Sequence, residues 1–325
     1  MPPVSVVVAT RNRAGHLPGL VAALAAQVGA PAFEVVVVDD ASTDATPAVL
    51  ADLSATARVP LRTARLAANG GPAAARNAGW RASGGDLVAF TDDDCVPAPG
   101  WLAALVAAAG AGAGIVQGRT EAGPGERGWF SHTVEVARES GFYETCNIAY
   151  RRRWLEEVDG FDEGFHLAGR RGAGGPMWGE DTDLAWRARA AGATTVFAPD
   201  ALVVHEVRTT SAGERLRSLH RREGVVRLVR RHPGIRATFP GGWWFQPEHG
   251  PVLLAAAGVA LAATGSRSPG RWAVAAVAAV PYARRRVARL DRGRRLTLLP
   301  HAVAYDLGEV LVLARASLRH RTLVL

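Results

Sequence analysis

Lysine is absent from the 325-residue chain, and only two cysteines are present. The GxxxxGK[ST] motif of P-loop proteins is absent, so the sequence does not support a P-loop nucleotide-binding fold. Cys95 and Cys146 form neither a CxxC pair nor a disulfide framework, so we expect both to be reduced in a cytosolic protein. The N-terminal sequence MPPVSVVVAT has no charged n-region and predicts a strand, so we expect no signal or transit peptide.

Acidic and basic residues are unevenly divided along the chain. Residues 1–210 contain 18 arginines and 24 acidic residues, a net charge of −6, whereas residues 211–325 contain 20 arginines and 6 acidic residues, a net charge of +14. The hydrophobic fraction of 48% is that of a globular protein, and the length allows one large domain or two smaller ones. A basic block beside an acidic block indicates an anionic partner, either nucleic acid or lipid head groups.

Three consecutive carboxylates, Asp92, Asp93 and Asp94, follow a short apolar run at residues 87–90 that is typical of a buried parallel strand. Carboxylates this close repel one another, so at neutral pH they need a cation or shifted pKa values. A hard divalent ion is the simplest answer, because such ions take one or two protein carboxylates and substrate phosphates as ligands. From these residues alone, a solvated acidic turn is the alternative.

Strand and helix signals alternate through the first part of the chain. Strands are predicted at residues 4–9, 33–38, 59–64 and 87–90, with helices between them. This alternation predicts an α/β fold with a mostly parallel sheet covered by helices. Ligands bind at the carboxyl ends of strands in such sheets, so the polar residues there, Thr10 with Arg11 and Asp39 with Asp40, are predicted to share one site with the three carboxylates.

Further along, the sequence predicts a strand at residues 114–118 and a short helix ending at Gly160. The glycine-dense segment at residues 169–179 is a candidate lid over a substrate. A helix then begins at Glu180 and Asp181, whose charges also suit the positive end of a helix dipole. A strand pair is predicted at residues 194–197 and 201–204, ending at His205.

Seven segments, in this order, resemble the family 2 inverting glycosyltransferases with a GT-A fold: VSVVVATRNR, VVVVDDAST, NGGPAAARNAG, FTDDDC, CNIAYRRRWLEEVDGFDEGF, GEDTDLAWRARAAG and VVHEVR. The resemblance covers residues 3–210. It implies a GT-A catalytic domain over residues 1–210, in which a nucleotide sugar is bound and used as donor.

The resemblance also implies roles for individual residues. The expected donor site consists of Thr10, Arg11, Asp39, Asp40, Asn69, Arg76 and Asp93. The expected Mg²⁺ or Mn²⁺ ligands are Asp92 and Asp94, which match the DxD pair, and His205. The expected catalytic base is Asp181, with Glu180 and Asp183 as competitors, and the residues expected near the acceptor are Trp178, Glu180 and Asn147. Arg11 stands where family members often have an aromatic residue. The sequence therefore leaves open whether the nucleotide base is uracil, guanine or thymine.

The chemistry of an inverting transfer agrees with these roles. One carboxylate must accept the proton of the acceptor hydroxyl while its oxygen attacks the anomeric carbon, and a cation must stabilise the departing diphosphate. No second carboxylate is needed as a covalent nucleophile, in contrast to retaining hydrolysis. The predicted function is therefore inverting, metal-dependent transfer of a sugar from a nucleoside-diphosphate sugar to a hydroxyl or phosphate of an acceptor. The amphipathic C-terminal part suggests a lipid-linked or cell-envelope saccharide as that acceptor.

Two other functions compete with this prediction. A sugar-phosphate nucleotidyltransferase would also use a nucleotide and a metal, but the glycine-rich basic loop expected near the first strand is missing. A non-enzymatic nucleic-acid-binding or membrane-binding protein would explain the sequence pI of about 10.7. No helix-turn-helix, zinc or RRM pattern is visible, and the acidic first part would repel phosphate, so we expect no nucleic-acid partner.

The C-terminal part predicts helices: a basic linker with an aromatic segment at residues 211–250, then an apolar, arginine-rich region at residues 251–325. Its apolar stretches, residues 251–264 and 272–282, are shorter than the ~20 residues of a spanning helix. We expect them to form a hairpin in the membrane interface, with arginines on anionic lipid and tryptophans at head-group depth. The protein would then be peripheral or monotopic on the cytoplasmic face of the plasma membrane. Buried core helices are the alternative.

Overall fold

The computed structural model describes residues 3–167, 175–176, 178–264, 268–290 and 292–325. The chain forms two compact units, one made of residues 1–125 and 133–207 and the other of residues 126–132 and 208–325. Most of the segment predicted as a lid, residues 169–179, lies outside the described residues.

The described strands are β1 (Val4–Thr10), β2 (Phe33–Asp39), β3 (Leu61–Arg65), β4 (Leu87–Thr91), β5 (Cys95–Pro97), β6 (Ile115–Ala122), β7 (Ser131–His132), β8 (Asn147–Arg151), β9 (His166–Leu167), β10 (Gly175–Pro176), β11 (Thr195–His205) and β12 (Arg208–Thr209). The described α-helices are α1 (Leu17–Ala25), α2 (Thr46–Thr56), α3 (Gly71–Ala82), α4 (Trp101–Gly110), α5 (Arg152–Glu157), α6 (Glu180–Ala190), α7 (Ala212–Arg217), α8 (Glu223–Arg231), α9 (His249–Ala263), α10 (Pro269–Arg289) and α11 (Arg295–His320).

The first unit is built on an eight-stranded sheet in the order β3-β2-β1-β4-β8-β6-β11-β5. Strands β3, β2, β1 and β4 are parallel, as are β6 and β11, whereas β8 and β5 pair antiparallel with their neighbours. The centre of β1 is buried on both faces, since Val6, Val7 and Val8 are fully inaccessible. Helices covering both faces of a mostly parallel sheet produce this pattern, so the predicted α/β class is confirmed.

Helix α3 packs closely on the sheet because a glycine faces it. A Cβ on Gly79 would lie 2.4 Å from Cγ1 of Val7, so only glycine allows this approach of helix to strand. Pro72 occupies the first turn of α3, where backbone N–H groups have no partner within the helix, so the lack of an N–H in proline costs no hydrogen bond. This packing fixes the position of Arg76 on the same helix.

The predicted strand pair at residues 194–197 and 201–204 is wrong. The structure has one strand there, β11, whose pairing with β6 shifts register between Ala198 and Leu202. Pro199 lies at the shift, and because proline has no N–H it cannot donate to the ladder and is tolerated at such an irregularity. Strands β5 and β8 were not predicted, because both are short and lie inside segments that also carry polar residues.

The second unit is mainly helical, and its interior contains ion pairs as well as apolar side chains. Glu309 on α11 accepts hydrogen bonds from Arg222 at 2.6 Å and from His249 on α9 at 3.0 Å. Asp306, one helical turn earlier, accepts from Arg286 Nε on α10 at 2.9 Å and from Tyr282 at 2.7 Å. Both carboxylates are almost inaccessible, so helix α11 is held among its neighbours by paired charges.

One described helix, Thr297–His320, is long and apolar enough by length and composition to cross a membrane, which is a weak indication because core helices also meet this test. It is not one of the two stretches that the sequence suggested for the interface, which correspond to α9 and α10. Those two helices carry exposed apolar side chains, among them Leu261, Trp272 and Val277.

Candidate active site

The carboxyl ends of β1, β2 and β4 lie side by side and bring distant polar residues together. Thr10 and Asp39 are direct partners in the parallel pairing of β1 with β2. Thr10 Oγ1 donates a hydrogen bond to Asp93 Oδ2 at 2.7 Å, joining the end of β1 to the acidic run after β4. The strand order therefore assembles at one edge the groups that were predicted to share a site.

Arg76 on α3 links the acidic run to helix α6. Its Nη2 donates to Asp92 Oδ1 at 2.8 Å, and its Nη1 donates to Glu180 Oε1 at 3.1 Å. The guanidinium carbon also lies 5.7 Å from the ring centre of Phe161. Burial alone would lower the pKa of Arg76, but the charges of Asp92 and Glu180 outweigh it and raise the pKa, so this side chain is a permanent cation between two acids.

The other two carboxylates of the run contact a second arginine. Arg13 Nη2 lies 3.2 Å from Asp94 Oδ2, and Arg13 Nε lies 3.6 Å from Asp93 Oδ1. Burial raises the pKa of Asp93 to about 6, with a contribution from the charge of Asp94. Burial and the charge of Asp92 also raise the pKa of Asp94. The repulsion expected from the sequence is thus met by both shifted pKa values and arginine partners.

His205 faces Asp94 with the nitrogen that is suited to a metal. Its Nε2 lies 3.6 Å from Asp94 Oδ1, while its Nδ1 lies 2.9 Å from the carbonyl oxygen of Glu206. A carbonyl only accepts hydrogen bonds, so Nδ1 is the donor, and Nε2 is the nitrogen that the neutral imidazole leaves for an ion. The ligand atoms of Asp94, Cys95 and His205 lie within 4.8 Å of one another. A carboxylate oxygen and an imidazole nitrogen suit Mg²⁺, Mn²⁺ or Zn²⁺, so these residues fit a divalent ion.

Asp181 lies in the first turn of α6, which begins after Gly179 at a φ of 116° that favours glycine. Its side chain is half-buried, and Oδ1 accepts from the backbone N–H of Thr182 at 2.8 Å. Desolvation raises the pKa of Asp181 well above its ordinary value, and the charges of Glu180 and Glu144 raise it further. A carboxylate in this setting is a stronger base than an exposed one.

The two competitors for the role of base are engaged in ion pairs. Glu180 is bound by Arg76, and Asp183 is fully buried and accepts from Arg187 Nε at 2.7 Å. Arg187 also donates to the carbonyl oxygen of Gly160 at 2.6 Å, which ties α6 to the turn that follows α5. The geometry therefore gives Asp183 a structural role.

Residues 5–173 match the family described as Glycosyl transferase family 2. The chain belongs to this family. It is 32% identical over 246 residues to the pre-mycofactocin glycosyltransferase of Mycobacterium tuberculosis, covering 71% of this chain and 48% of that protein. It is 31% identical over 219 residues to the glycosyltransferase AglE of Haloferax volcanii, covering 64% of this chain and 68% of that protein. The chain thus spans about half the length of the mycobacterial relative.

Solved structures with the same fold include a mannosyltransferase from Pyrobaculum calidifontis in complex with GDP-Man and Mn²⁺, with a TM-score of 0.63 and 22% identity over 95% of this chain and 86% of that one. S. aureus TarS 1-349 in complex with UDP has a TM-score of 0.50 and 22% identity over 98% of this chain and 92% of that one. At this identity the likeness shows the fold alone, and the expected GT-A fold is confirmed.

In this member of glycosyl transferase family 2, two acids predicted for the donor site hold loops in place through hydrogen bonds. Asp40 accepts from the backbone N–H groups of Gly70 at 2.7 Å and Gly71 at 2.9 Å, which holds the loop before α3 against the end of β2. Asp39 accepts from the backbone N–H of Ser42 at 2.9 Å and is also bound by Arg65. Both acids lie at the site edge, and their roles towards a nucleotide stay predictions.

The remaining predicted donor and acceptor residues lie in different settings. Arg11 and Asn69 are exposed. Trp178 is half-buried, and its ring centre lies 5.4 Å from that of Phe142. Asn147 is fully buried: its oxygen accepts from the indole N–H of Trp101 at 2.8 Å and its nitrogen donates to two backbone carbonyls at 2.7 Å each. These bonds occupy the amide group of Asn147 and favour a structural role over the predicted contact with the acceptor.

Three residues of the family 2 site were not picked out from the sequence. Arg13 follows the end of β1 in the TRNR segment, and its position after a strand was the available signal. Cys95 directly follows the acidic run, and Glu144 contributes to the raised pKa of Asp181. Cys95 ends the FTDDDC segment, which was a signal of its place near the site, whereas Glu144 has no such signal because α6 brings it close to Asp181.

Proposed function

We propose that the chain is an inverting, metal-dependent glycosyltransferase that moves a sugar from a nucleoside-diphosphate sugar to a hydroxyl or phosphate of its acceptor. The observation that carries this proposal is the bridge made by Arg76 between Asp92 and Glu180. It brings the acidic run and the first turn of α6 to one site, so that a diphosphate bound at the run lies near Asp181. Membership in glycosyl transferase family 2 supports the reaction class.

Asp181 is proposed as the catalytic base. It accepts the proton of the acceptor hydroxyl as the oxygen forms its bond to the anomeric carbon and the bond from that carbon to the diphosphate breaks. Its raised pKa supports this role, because a base acts best when its pKa approaches the working pH. The ion pairs of Glu180 and Asp183 favour Asp181 over both.

Asp94 and His205 would hold a Mg²⁺ or Mn²⁺ ion, and Asp92 stays in the proposal as the other acid of the DxD pair. Once bound, such an ion stabilises the negative charge that develops on the departing diphosphate. The hydrogen bond from His205 Nδ1 to the Glu206 carbonyl fixes the ring with Nε2 towards Asp94. Arg13 and Arg76 add positive charge for the phosphates at the same edge.

The donor pocket is proposed to lie along the ends of β1, β2 and the loop before α3. Its members are Thr10, Arg11, Asp39, Asp40, Asn69, Arg76 and Asp93, as expected from the family resemblance. Trp178 and Glu180 are proposed on the acceptor side. The proposed catalytic domain is residues 1–210, followed by a basic linker at 211–250 and an apolar, arginine-rich region at 251–325.

The acceptor is proposed to be a lipid-linked or cell-envelope saccharide, used at the cytoplasmic face of a membrane. Exposed apolar side chains on α9 and α10, including Leu261 at 60%, Trp272 at 50% and Val277 at 71% exposure, support attachment to a lipid surface. The arginines near them, including Arg271 and Arg285, would attract anionic head groups.

Calorimetric titration with donors tests the proposal. UDP-, GDP- and dTDP-sugars are titrated with and without Mn²⁺ into the wild type, Asp94→Ala and Asp181→Asn. We expect one nucleotide class to bind in a metal-dependent way, binding to be lost in Asp94→Ala, and binding to persist in Asp181→Asn while transfer to acceptor is lost. Metal-independent binding unaffected by Asp94→Ala, or full transfer by Asp181→Asn, contradicts the proposal.

A further inference from the structure

The sulfur of Cys95 lies among the groups proposed to hold the metal. The carboxylate of Asp94, the thiol of Cys95 and the imidazole of His205 have ligand atoms within 4.8 Å of one another. The three atoms are an oxygen, a sulfur and a nitrogen, whereas a site built only for Mg²⁺ would present oxygens. The sulfur therefore changes which ions the site prefers.

The backbone holds this arrangement in register. Cys95 on β5 and His205 on β11 are direct partners in an antiparallel pair, so their side chains stand on the same face of the sheet. The N–H of Glu206 donates to the carbonyl of Asp94 at 2.9 Å, extending the pairing by one residue on each strand. Cys95 and His205 are both buried, at 1% and 6% exposure, so neither side chain is free to turn into solvent.

We infer that Cys95 is a metal ligand and that, with Asp94 and His205, it binds thiophilic divalent ions such as Zn²⁺ and Cd²⁺. Zinc sites with these donors have bond lengths of about 2.0–2.3 Å, which place tetrahedral ligand atoms about 3.5 Å apart. Atoms already within 4.8 Å reach that spacing by small side-chain rotations. The sulfur coordinates as the thiolate, and its proton passes to the solvent.

The inference rests on the metal site of the proposed function and adds a property to it. A thiophilic ion and Mn²⁺ use the same carboxylate and imidazole, so they bind in competition. The hard ion depends on Asp94 and His205, whereas the thiophilic ion depends also on Cys95. The site thereby distinguishes the two classes of metal by one side chain.

Cd²⁺ titration of the metal-free, reduced full chain tests the inference through the sulfur-to-cadmium charge-transfer absorption in the ultraviolet, which needs no enzymatic activity. We expect the wild type to give this band with one Cd²⁺ per chain. In Cys95→Ala we expect the band to vanish and Cd²⁺ affinity to fall at least about 100-fold, the upper end of the loss typical of a second-shell partner.

Cys146 provides the matched control. It is equally buried, at 2% exposure, and its sulfur lies 3.6 Å from Thr120 Oγ1. We expect Cys146→Ala to keep the band. Loss of the band in Cys146→Ala with its retention in Cys95→Ala overturns the inference, as does absence of the band from the wild type, a result that does not depend on whether a variant folds.

Mn²⁺ binding in the presence of UDP or GDP, followed by electron paramagnetic resonance, separates the inference from the proposed function. We expect Cys95→Ala to bind Mn²⁺ within about twofold of the wild type, because a hard ion gains little from a thiolate. Mn²⁺ binding without a cadmium band overturns the thiolate ligand and leaves the proposed function standing. A Cys95-dependent band without Mn²⁺ binding supports the thiolate ligand and contradicts the proposed metal role in transfer.

Discussion

Arg76 Nη1 donates to Glu180 Oε1 at 3.1 Å, although the two residues are 104 positions apart in the chain. The bond ties helix α3, which packs on β1 through Gly79, to the first turn of α6, which carries Asp181. Because the same guanidinium also contacts Asp92, one rigid helix sets the distance between the acidic run and the proposed base. The position of Asp181 relative to the acidic run therefore depends on this link.

Replacement of Arg76 by lysine should separate charge from geometry. Lysine keeps the positive charge but lacks the planar fork that contacts two carboxylates at once. We expect Arg76→Lys to fold and to bind the donor more weakly. We expect its transfer rate to fall about 10- to 100-fold, because positioning is a large part of catalysis. Steady-state kinetics and calorimetry measure both effects. Arg62→Lys, which changes the exposed partner of Glu34, is the control and should keep wild-type kinetics.

The pH dependence of transfer should report the raised pKa of Asp181. A base must be deprotonated to act, so kcat/KM should fall as the pH drops through the pKa of Asp181, and the fall should begin at a higher pH than for an ordinary aspartate. Glu144 contributes to raising that pKa, so Glu144→Gln should move the acidic limb to lower pH. Both pH profiles of kcat/KM are measured at saturating metal. If the acidic side of the profile were the same in Glu144→Gln and the wild type, the assignment of Asp181 as the base would be contradicted.

Arg13 is predicted to serve the diphosphate. Its guanidinium contacts Asp94 and Asp93, so an ion bound at Asp94 would free it for a donor phosphate. We expect Arg13→Ala to raise the Kd for the nucleotide donor about 10-fold or more, the scale of one charge-assisted hydrogen bond, with little change in the melting temperature. Calorimetry with donor and with the free nucleoside is the measurement, and an equal loss for both would place Arg13 away from the phosphates.

The buried pair in the helical unit should make stability depend on pH. Burial alone would raise the pKa of Glu309, but His249 and Arg222 outweigh it, so the pKa is lowered. A carboxylate with a lowered folded pKa stabilises the fold above its unfolded pKa, and this contribution is lost as the pH falls through the folded value. Glu309→Gln should therefore cost about 3–5 kcal/mol at neutral pH, and the difference from wild type should shrink in acid.

Urea unfolding at neutral and acidic pH measures this difference. Glu223→Gln is the control, since Glu223 is more accessible than Glu309 and pairs with Arg319 and His320. A partly exposed pair contributes about 0–1 kcal/mol. If Glu309→Gln lowered the free energy of unfolding no more than Glu223→Gln, the buried pair would stabilise the fold no more than a partly exposed one.

Lipid binding should depend on the exposed apolar side chains of α9 and α10. We expect the full chain to sediment with anionic vesicles, and Trp272→Ser with Val277→Ser to lower the partition coefficient at least about 10-fold, because inserting each such side chain is worth about 1.5–3 kcal/mol. Val28→Ser, which changes a side chain of the first unit at 60% exposure, should have no effect. Equal sedimentation of all three proteins would contradict membrane attachment.

The sequence alone determined the order of strands and helices in the first unit and the acidic run at the end of β4. Both follow from local rules: apolar runs of strand length, helical spacing between them, and polar residues where strands end. The same rules failed where local and tertiary requirements conflict. They predicted two strands on either side of Pro199, whereas β11 is one strand that stays paired with β6 on both sides of the register shift. They also missed the short strand β5.

Only the tertiary structure decided which charge pairs with which. From the sequence, only the family resemblance favoured Asp181 over Glu180 and Asp183 as the base. The structure separates them physically, because Arg76 pairs with Glu180 and Arg187 pairs with Asp183. In the same way, Cys95 gained a place beside His205 through the pairing of β5 with β11 across more than a hundred residues. Such contacts depend on strand register and helix packing, which are set by the whole core and leave no mark in the few residues around each side chain.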